Sequence, residues 1–309
     1  QKVKKNHSNS ARLNAYISKK VADAKGEVAD LERRNLSTSA RKLKEAIKGK
    51  PLTNFFEYSY NRCEKQKDTL AFSTYNTYKN YLKKFETFVG HRDLMFEDIT
   101  VTLKDYASYC SSKLGNNNTT INFSLKIMQI MFKEAQREDL IPIDLFPFNK
   151  FKVKKEMSTR RYLTAEQFQG FMDLEVSSQY KAQVIKDMFI FSVFVGGLRF
   201  GDMIELKWKN YDNKAGRITK IIRKTGRQHS VKMGQKAIDI LENYSHKDQK
   251  QEDIIFPFAG IDDAYFTDKE HRSLLTGRAT ALNSMYLKKM GEELELPFKL
   301  SFHISRHTF

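Results

Sequence analysis

Apolar residues recur at helical spacing through most of the first half of the chain. From about residue 51 to residue 153 they step by three and four positions, as on one face of an α-helix. One stripe comprises Tyr75, Tyr78, Leu82, Phe85 and Val89, and a second comprises Ile121, Leu125, Met128, Phe132 and Ala135. Ser73 or Thr74 is expected to cap the first of these helices. The pattern predicts a small all-α bundle.

A shorter helical pattern precedes this region, within residues 1–50. Its apolar positions are Leu13, Ile17, Val21, Ala24, Val28 and Leu31. The same segment carries fourteen Lys or Arg residues against five Asp or Glu residues. It is therefore either a solvated amphipathic helix that packs on a neighbour or a basic connector that lies along DNA.

The second half of the chain mixes helical and strand patterns. Residues 141–150 hold two of the five prolines and break the helical periodicity. Thr164 and Gln167 then form a capping box ahead of an apolar helix, which Gly196 and Gly197 end. Two β-rich runs in 217–233 flank a turn and predict a hairpin, and helices resume over 235–247 and 279–294. This half is predicted to be α+β, mostly helical with a small sheet.

Composition narrows the class of partner. Hydrophobic residues make up 40% of the chain, and the formal net charge is +17. This excess indicates a polyanion, with nucleic acid favoured over an anionic membrane surface. The longest apolar run, 188–195, is too short to cross a bilayer. Cys63 and Cys110 are interpreted as reduced thiols, and no Cys/His cluster predicts a metal site.

Three features of the second half carry candidate chemistry. Arg199 follows the glycine pair, and Asp202 three residues later could fix its guanidinium, although a structural ion pair is the commoner meaning of that spacing. Lys224 lies in the hairpin turn, where Lys220, Arg223 and Arg227 compete with it for any role. The closing His303, Arg306 and His307 fall on one face of a helix.

Taken together, these features resemble a known family. "GGLRFGDMIELKW" (196–208), "KTG" (224–226) and "HISRHTF" (303–309), in that order, resemble the successive catalytic motifs of the tyrosine recombinase (phage-type integrase) family. Residues 51–150 resemble its helical, SAM-like core-binding domain. Residues 1–50 are similar to the basic helix of integrases from bacterial mobile elements of the Bacteroides type.

The resemblance implies a role for each motif residue. Arg199 and Arg306 would hold the scissile phosphate and stabilise the five-coordinate transition state. Lys224 would protonate the departing 5′-oxygen, and His303 would assist proton transfer or hold the phosphate. Asp202 and His307 would be accessory residues that orient the site, and neither a metal nor another cofactor is expected.

The resemblance also implies a division into domains and a set of partners. We expect a basic helical connector over 1–50, a core-binding domain over 51–153 and a catalytic domain over 154–309. Double-stranded DNA is the expected partner, with a homotetramer on paired recombination sites, scope for accessory DNA-bending proteins, and a bacterial cytoplasmic location at the nucleoid. The cations expected to contact DNA are Lys79, Lys83, Lys84, Lys126, Arg160, Arg161 and Arg227.

The nucleophile of the family lies downstream of the His-x-x-Arg motif. None of the 14 tyrosines of this chain matches its motif, so the role is assigned to none of them. We therefore expect the sequence to be part of a longer protein. The main alternative is a sequence-specific DNA-binding protein or regulator without chemistry, and a type IB topoisomerase is a more distant one.

Overall fold

The computed structural model describes residues 54–149, 151–154, 156, 160–176 and 180–308, together with scattered positions between 11 and 29. The chain divides into two compact units, Gln1–Met157 and Ser158–Phe309. Each unit has a hydrophobic core of its own. Most of the described residues are helical, which confirms the predicted fold class.

The first unit is a helical bundle, as the apolar stripes predict. Two short 3-10 helices, Phe96–Asp98 and Pro147–Asn149, accompany its α-helices. The α-helices are α1 (Phe55–Lys65), α2 (Phe72–Val89), α3 (Ile99–Ser112) and α4 (Asn118–Arg137). All five positions of the second stripe are buried, whereas Tyr78 and Val89 of the first stripe are only partly buried.

The helix starts follow local capping chemistry, with one exception to the prediction. The Asn117 side chain accepts a hydrogen bond from the Thr120 N–H and so caps α4. The expected cap of α2 at Ser73 or Thr74 is wrong, because the helix already begins at Phe72. Ala71 occupies the cap position there, and no side-chain hydrogen bond caps the helix.

Aromatic rings fill the centre of the bundle. The ring of Phe55 lies 5.5 Å from Phe56, 5.9 Å from Phe85 and 5.2 Å from Phe96. Most of these contacts are edge-to-face, the geometry that aromatic quadrupoles favour. The core thus joins α1, α2 and the 3-10 helix into one packed unit.

The basic segment before the bundle is only partly described. The described positions between 11 and 29 are helical, in agreement with the prediction for that stretch. Of the predicted apolar stripe, Val21 alone is described, and its side chain is 49% exposed. The other five stripe positions lie outside the described residues.

The second unit combines helices with a small antiparallel sheet. The sheet has the order β1-β2-β3, and Ile218 lies opposite Val231 in its hairpin. Its strands are β1 (Tyr211–Asp212), β2 (Arg217–Ile221) and β3 (Gln228–Lys232). Its helices are α5 (Ala165–Asp173), α6 (Tyr180–Phe194), α7 (Phe200–Met203), α8 (Gln235–Glu242), α9 (Asp263–Thr267), α10 (Lys269–Glu293) and α11 (Ser305–Thr308).

Helix α6 is the central element of this unit. It is buried from Val184 through Val193, so every face of the helix contacts protein. The capping box of Thr164 and Gln167 forms as predicted and starts α5. The short 3-10 helices Trp208–Asn210 and Phe302–Ile304 complete the unit.

Two helix boundaries differ from the prediction. Helix α8 ends at Glu242 rather than near 247, and α10 begins at Lys269 rather than near 279. The early start of α10 is set by Asp268, whose carboxylate accepts hydrogen bonds from the N–H groups of Glu270 and His271. The first turns of α10 are mostly polar, so they give no apolar periodicity to read. Within the described residues, no helix combines the length and apolarity that a bilayer span requires.

Candidate active site

A left-handed turn places Arg199 at the head of α7. Gly196 and Gly197 have φ values of 74° and 78°, a region that glycine adopts without steric cost. The carbonyl of Arg199 accepts hydrogen bonds of 2.9 Å from the N–H groups of Asp202 and Met203. Its side chain is half-buried, and in the described part of the chain no hydrogen bond or ion pair holds its guanidinium.

The closing motif lies on the short helix α11 and the 3-10 turn before it. The rings of His303 and His307 meet edge-to-face with centroids 4.9 Å apart, as the four-residue spacing predicts. The guanidinium of Arg306 donates to the carbonyl of Gly197. The backbone of the glycine turn therefore fixes the position of the second arginine relative to the first.

A buried pair of serines joins these two segments to the core. The Oγ of Ser192 on α6 lies 3.0 Å from the Leu198 carbonyl and 2.9 Å from the Oγ of Ser305. The Oγ of Ser305 in turn lies 2.7 Å from the carbonyl of Phe302. Both serines are fully buried. One core hydroxyl thus touches the residue before Arg199 and the residue before Arg306.

Asp202 does not fix the guanidinium of Arg199, as the sequence suggested. No ion pair or hydrogen bond joins its carboxylate to Arg199 in the described structure. Instead, Asp202 is buried, and its Oδ1 accepts a 3.1 Å hydrogen bond from the backbone N–H of Arg223. It therefore anchors the hairpin turn directly beside Lys224.

The structure separates the cations that competed for a role in the hairpin. The carboxylate of buried Glu205 receives the guanidinium of Arg223 and a 2.7 Å hydrogen bond from the Tyr265 hydroxyl. The Nζ of Lys220 donates to the Glu205 carbonyl at 3.2 Å, and burial lowers the pKa of Lys220. Lys220 and Arg223 are therefore engaged in structural contacts.

Lys224 and Arg227 remain exposed at the hairpin turn. The strand that follows is held by His229, whose Nε2 lies 2.7 Å from the carbonyl of Val195 beside the glycine turn. The hairpin thus contacts both ends of the segment that carries Arg199. The positive charge of Lys224 contributes to lowering the pKa of His303.

The site is strongly cationic. Partial burial lowers the pKa of His303, and the charges of His307, Arg306, Arg199 and Lys224 lower it further. Burial and the charge of Arg199 also lower the pKa of Arg306, while Asp202 opposes this shift. The pKa of His303 is thus coupled to the charges of the other three predicted catalytic residues, and a cationic site of this kind is suited to hold an anion.

The cations predicted to contact DNA differ in whether their side chains are bound to other residues or exposed. In the first unit, Lys79 pairs with Glu64 at 3.0 Å and Lys84 donates to Asn116, whereas Lys83 and Lys126 are exposed. In the second unit, Arg160 and Arg161 are exposed near the start of the described segment. Among the described residues, no group of three His, Cys, Asp or Glu side chains is arranged to hold a metal ion.

Several residues of the site were not predicted from the sequence. Ser192, Glu205, His229 and Tyr265 all support the motif residues through buried or partly buried contacts. Ser192 gave a weak signal, because it interrupts the longest apolar run of the chain. The other three give no signal in a single sequence, since their partners lie far away along the chain.

Comparison with known proteins identifies the family. The phage integrase SAM-like domain matches residues 54–153, and the phage integrase family matches residues 161–309. A comparison with curated proteins gave no match. The chain belongs to the phage integrase family, the tyrosine recombinases, with a SAM-like domain ahead of a catalytic domain.

Solved structures show the same fold at low identity. A lambda integrase tetramer bound to a Holliday junction is 17% identical with a TM-score of 0.63, covering 91% of this chain and 80% of that one. The Tn1549 transposon integrase in complex with transposon right end DNA is 16% identical, also with a TM-score of 0.63. That match covers 83% of this chain and 85% of the Tn1549 chain.

The serine pair leads to a stability prediction. Ser192→Ala removes the hydrogen-bond partner of the buried Leu198 carbonyl and one of the two partners of the Ser305 hydroxyl. The free energy of unfolding should fall by about 1–3 kcal/mol. Urea unfolding followed by the fluorescence of Trp208, the single tryptophan, reports on this unit. Ser273→Ala on the exposed face of α10 is the control and should change stability by less than about 0.5 kcal/mol. Equal effects of the two changes would contradict the proposed importance of the pair.

The electrostatics lead to a second prediction. His303 should titrate below the ordinary histidine pKa of about 6.5, because burial and its cationic neighbours disfavour the protonated ring. His307→Gln removes one neighbouring ring and should raise the pKa of His303, whereas Lys247→Ala, far along the chain in an exposed loop, should leave it unchanged. Histidine NMR signals followed against pH test this. A pKa of His303 above its ordinary value would show that the site is less cationic than described.

Proposed function

We propose that this protein is a site-specific DNA recombinase that cuts and rejoins DNA strands through a 3′-phosphotyrosyl intermediate. The observation that carries the proposal is the pairing of Arg199 and Arg306 across the glycine turn, with no carboxylate within ion-pair distance of either guanidinium in the described structure. Two permanently charged, half-buried groups without an ion-pair partner favour binding of an anion such as a phosphate.

The arginine pair suits the chemistry of a phosphodiester. When a tyrosine hydroxyl attacks phosphorus, the phosphate becomes five-coordinate and gains negative charge on its non-bridging oxygens. Arg199 and Arg306 would stabilise that charge with planar donors held in place before the reaction. The position of Arg306 is set by the Gly197 carbonyl, so the clamp needs little reorganisation when the substrate binds.

Lys224 is proposed as the general acid. As the bond from phosphorus to the 5′-oxygen breaks, that oxygen takes up a proton from Lys224, and the bond energy is retained in the phosphotyrosine. Rejoining reverses the step, with the 5′-hydroxyl attacking and the tyrosine released. His303, whose pKa is lowered by burial and by its cationic neighbours, would accept or relay a proton near the phosphate, with His307 and Asp202 orienting the site.

We extend the proposal to the whole chain. Residues 1–50 would act as a basic connector, 51–153 as the core-binding domain and 154–309 as the catalytic domain. Lys83, Lys126 and Arg227 would contact the phosphate backbone, since they are exposed and carry no partner charge. Lys79 and Lys84 would have to leave their present partners to do so.

The solved relatives support the proposed partners. Lambda integrase is described as a tetramer on a Holliday junction and as a dimer on a core site, and the Tn1549 integrase on transposon DNA. By analogy, we propose that this protein binds double-stranded DNA and assembles as a tetramer on paired sites, in the bacterial cytoplasm at the nucleoid.

Removal of either arginine tests the phosphate clamp. Arg199→Ala and Arg306→Ala should each slow cleavage by about 100-fold or more, because each removes a donor to the charged transition state. DNA affinity should change little, since it is spread over many phosphate contacts. The assay is formation of a covalent protein–DNA adduct on a nicked duplex, by the protein expressed from its own gene.

Arg278→Ala is a matched control, because Arg278 is exposed on α10. It removes the same charge and should leave cleavage unaffected. Arg199→Lys should be almost as damaging as the alanine change, since lysine cannot offer two parallel donors. Cleavage at the wild-type rate by Arg199→Ala would refute the clamp, and the absence of an adduct with the unaltered protein would favour a DNA-binding regulator.

A sulfur-substituted substrate tests the role of Lys224. Lys224→Ala should slow cleavage of ordinary DNA by about 100- to 10,000-fold, the usual contribution of a general acid. A substrate with sulfur in place of the 5′-bridging oxygen releases a thiolate, whose pKa of about 8.5 makes protonation unnecessary. The variant should cleave this substrate nearly as fast as the unaltered protein does.

The rescue distinguishes proton donation from binding. Arg227→Ala, on the same exposed turn, is the comparison, and it should affect both substrates equally. If sulfur substitution failed to rescue Lys224→Ala, the lysine would act by holding DNA and not by donating a proton.

A further inference from the structure

A cavity of about 520 Å³ lies beside the closing motif, outside the arginine pair. Polar and cationic side chains dominate its wall, and the wall includes no carboxylate. Its lining residues are Arg160, Arg161, Lys299, Ser301, His303, Ile304 and His307. Such a lining is suited to an anion and not to an apolar ligand.

The three permanent cations of this cavity have no counter-ion. In the described part of the chain, Arg160, Arg161 and Lys299 form no ion pair with Asp or Glu. By contrast, Lys207 and Lys209 in the same unit are both paired with Glu252. Like charges gathered without a carboxylate repel one another, and a bound anion would remove that repulsion.

The cavity wall is held in place by contacts that do not use its cationic groups for ion pairs. The N–H of Leu163 donates to the Oγ1 of Thr308 at 3.1 Å, which ties the segment after the two arginines to α11. The guanidinium of Arg161 lies 5.8 Å from the centre of the Phe298 ring, within cation–π range. A random patch of solvated side chains would not be fixed in this way.

The position of the cavity indicates which anion it takes. His303 and His307 belong both to its wall and to the electrostatic unit around Arg306. A group bound in the cavity would therefore lie beside the phosphate that the arginine pair is proposed to hold. Along a DNA strand, the anion next to the scissile phosphate is the neighbouring phosphodiester.

A second cavity in the same unit provides a contrast. It is of similar size, about 550 Å³, but Leu163, Phe168, Val193 and Phe194 dominate its wall. It has no cation among its lining residues, so no side chain of its wall would balance the charge of a phosphate. Of these two cavities, only the first gathers cations that have no ion-pair partner.

We propose that Arg160, Arg161, Lys299 and Ser301 form a second phosphate site, which binds the phosphodiester adjacent to the scissile one on the same DNA strand. This inference rests on the proposed function and deepens it. Two fixed points on one strand would set both the position and the direction of the strand in the clamp. The arginine pair alone would fix only a single point.

Phosphate-ethylation interference tests the proposal. The probe is a duplex selected for binding from a random-sequence library, ethylated sparsely at its phosphates, with the cleavage position mapped separately. The variant is Arg160→Ala with Lys299→Ala, both exposed, and the control is Arg278→Ala with Lys288→Ala on α10, which removes the same charge. Far-UV circular dichroism confirms that both variants fold.

With unaltered protein and with the control, ethylation of the scissile phosphate and of its neighbour should each weaken binding measurably, because the ethyl group removes a charge and adds bulk at the contact. With the cavity variant, interference at the neighbour should disappear while interference at the scissile phosphate remains. The slope of log affinity against log salt should also fall by about 0.9, the effect of one lost phosphate contact.

The outcomes separate this proposal from the one before it. If the cavity variant shows the interference pattern of the unaltered protein while cleavage is intact, the second site is refuted and the recombinase function stands. If the lost interference maps away from the cleavage position, the second site is likewise refuted. If no phosphate interferes at the cleavage position with any of the proteins, both proposals fail.

Discussion

The catalytic unit depends on a single constraint, the coupling of one buried hydroxyl to two separate backbone segments. The Oγ of Ser192 contacts the Leu198 carbonyl and the Oγ of Ser305, residues 107 positions apart in the chain. The two serines have two hydroxyl protons between them. These protons serve three contacts: Ser192 with the Leu198 carbonyl, Ser192 with Ser305, and Ser305 with the Phe302 carbonyl. Because the pair is sealed in the core, neither segment can shift without leaving a buried polar atom unpaired, which is costly. The glycine turn and α11 therefore keep a fixed separation.

The hairpin adds the third side of the site by the same means. Asp202 accepts the Arg223 N–H, Glu205 neutralises Arg223, and His229 contacts the Val195 carbonyl. Each of these contacts ends on a backbone group or a structural cation and leaves Lys224 free at the turn. The groups proposed for chemistry are thus separate from the groups that hold them, although the two kinds alternate closely along the sequence.

Much of this arrangement could be predicted from the sequence, and the part that could not has a physical reason. Stripes of apolar residues located the bundle, and the capping box of Thr164 located α5, because both signals are local. The start of α10 was missed because Asp268 caps a polar first turn with no periodicity. Asp202 was expected to pair with Arg199 from their spacing, but its actual partner, the Arg223 N–H, is 21 residues away. Contacts of that kind become visible only once the chain is folded.

The bond from Arg306 to the Gly197 carbonyl has a consequence for how this protein can vary. Every residue presents a carbonyl, so an arginine positioned by one does not depend on the identity of a partner side chain. What must be retained is the path of the backbone at the turn and a residue that tolerates φ near 78°. Surrounding positions are then free to diverge in sequence while the geometry persists. A site positioned by main-chain atoms therefore tolerates substitution of the side chains around it.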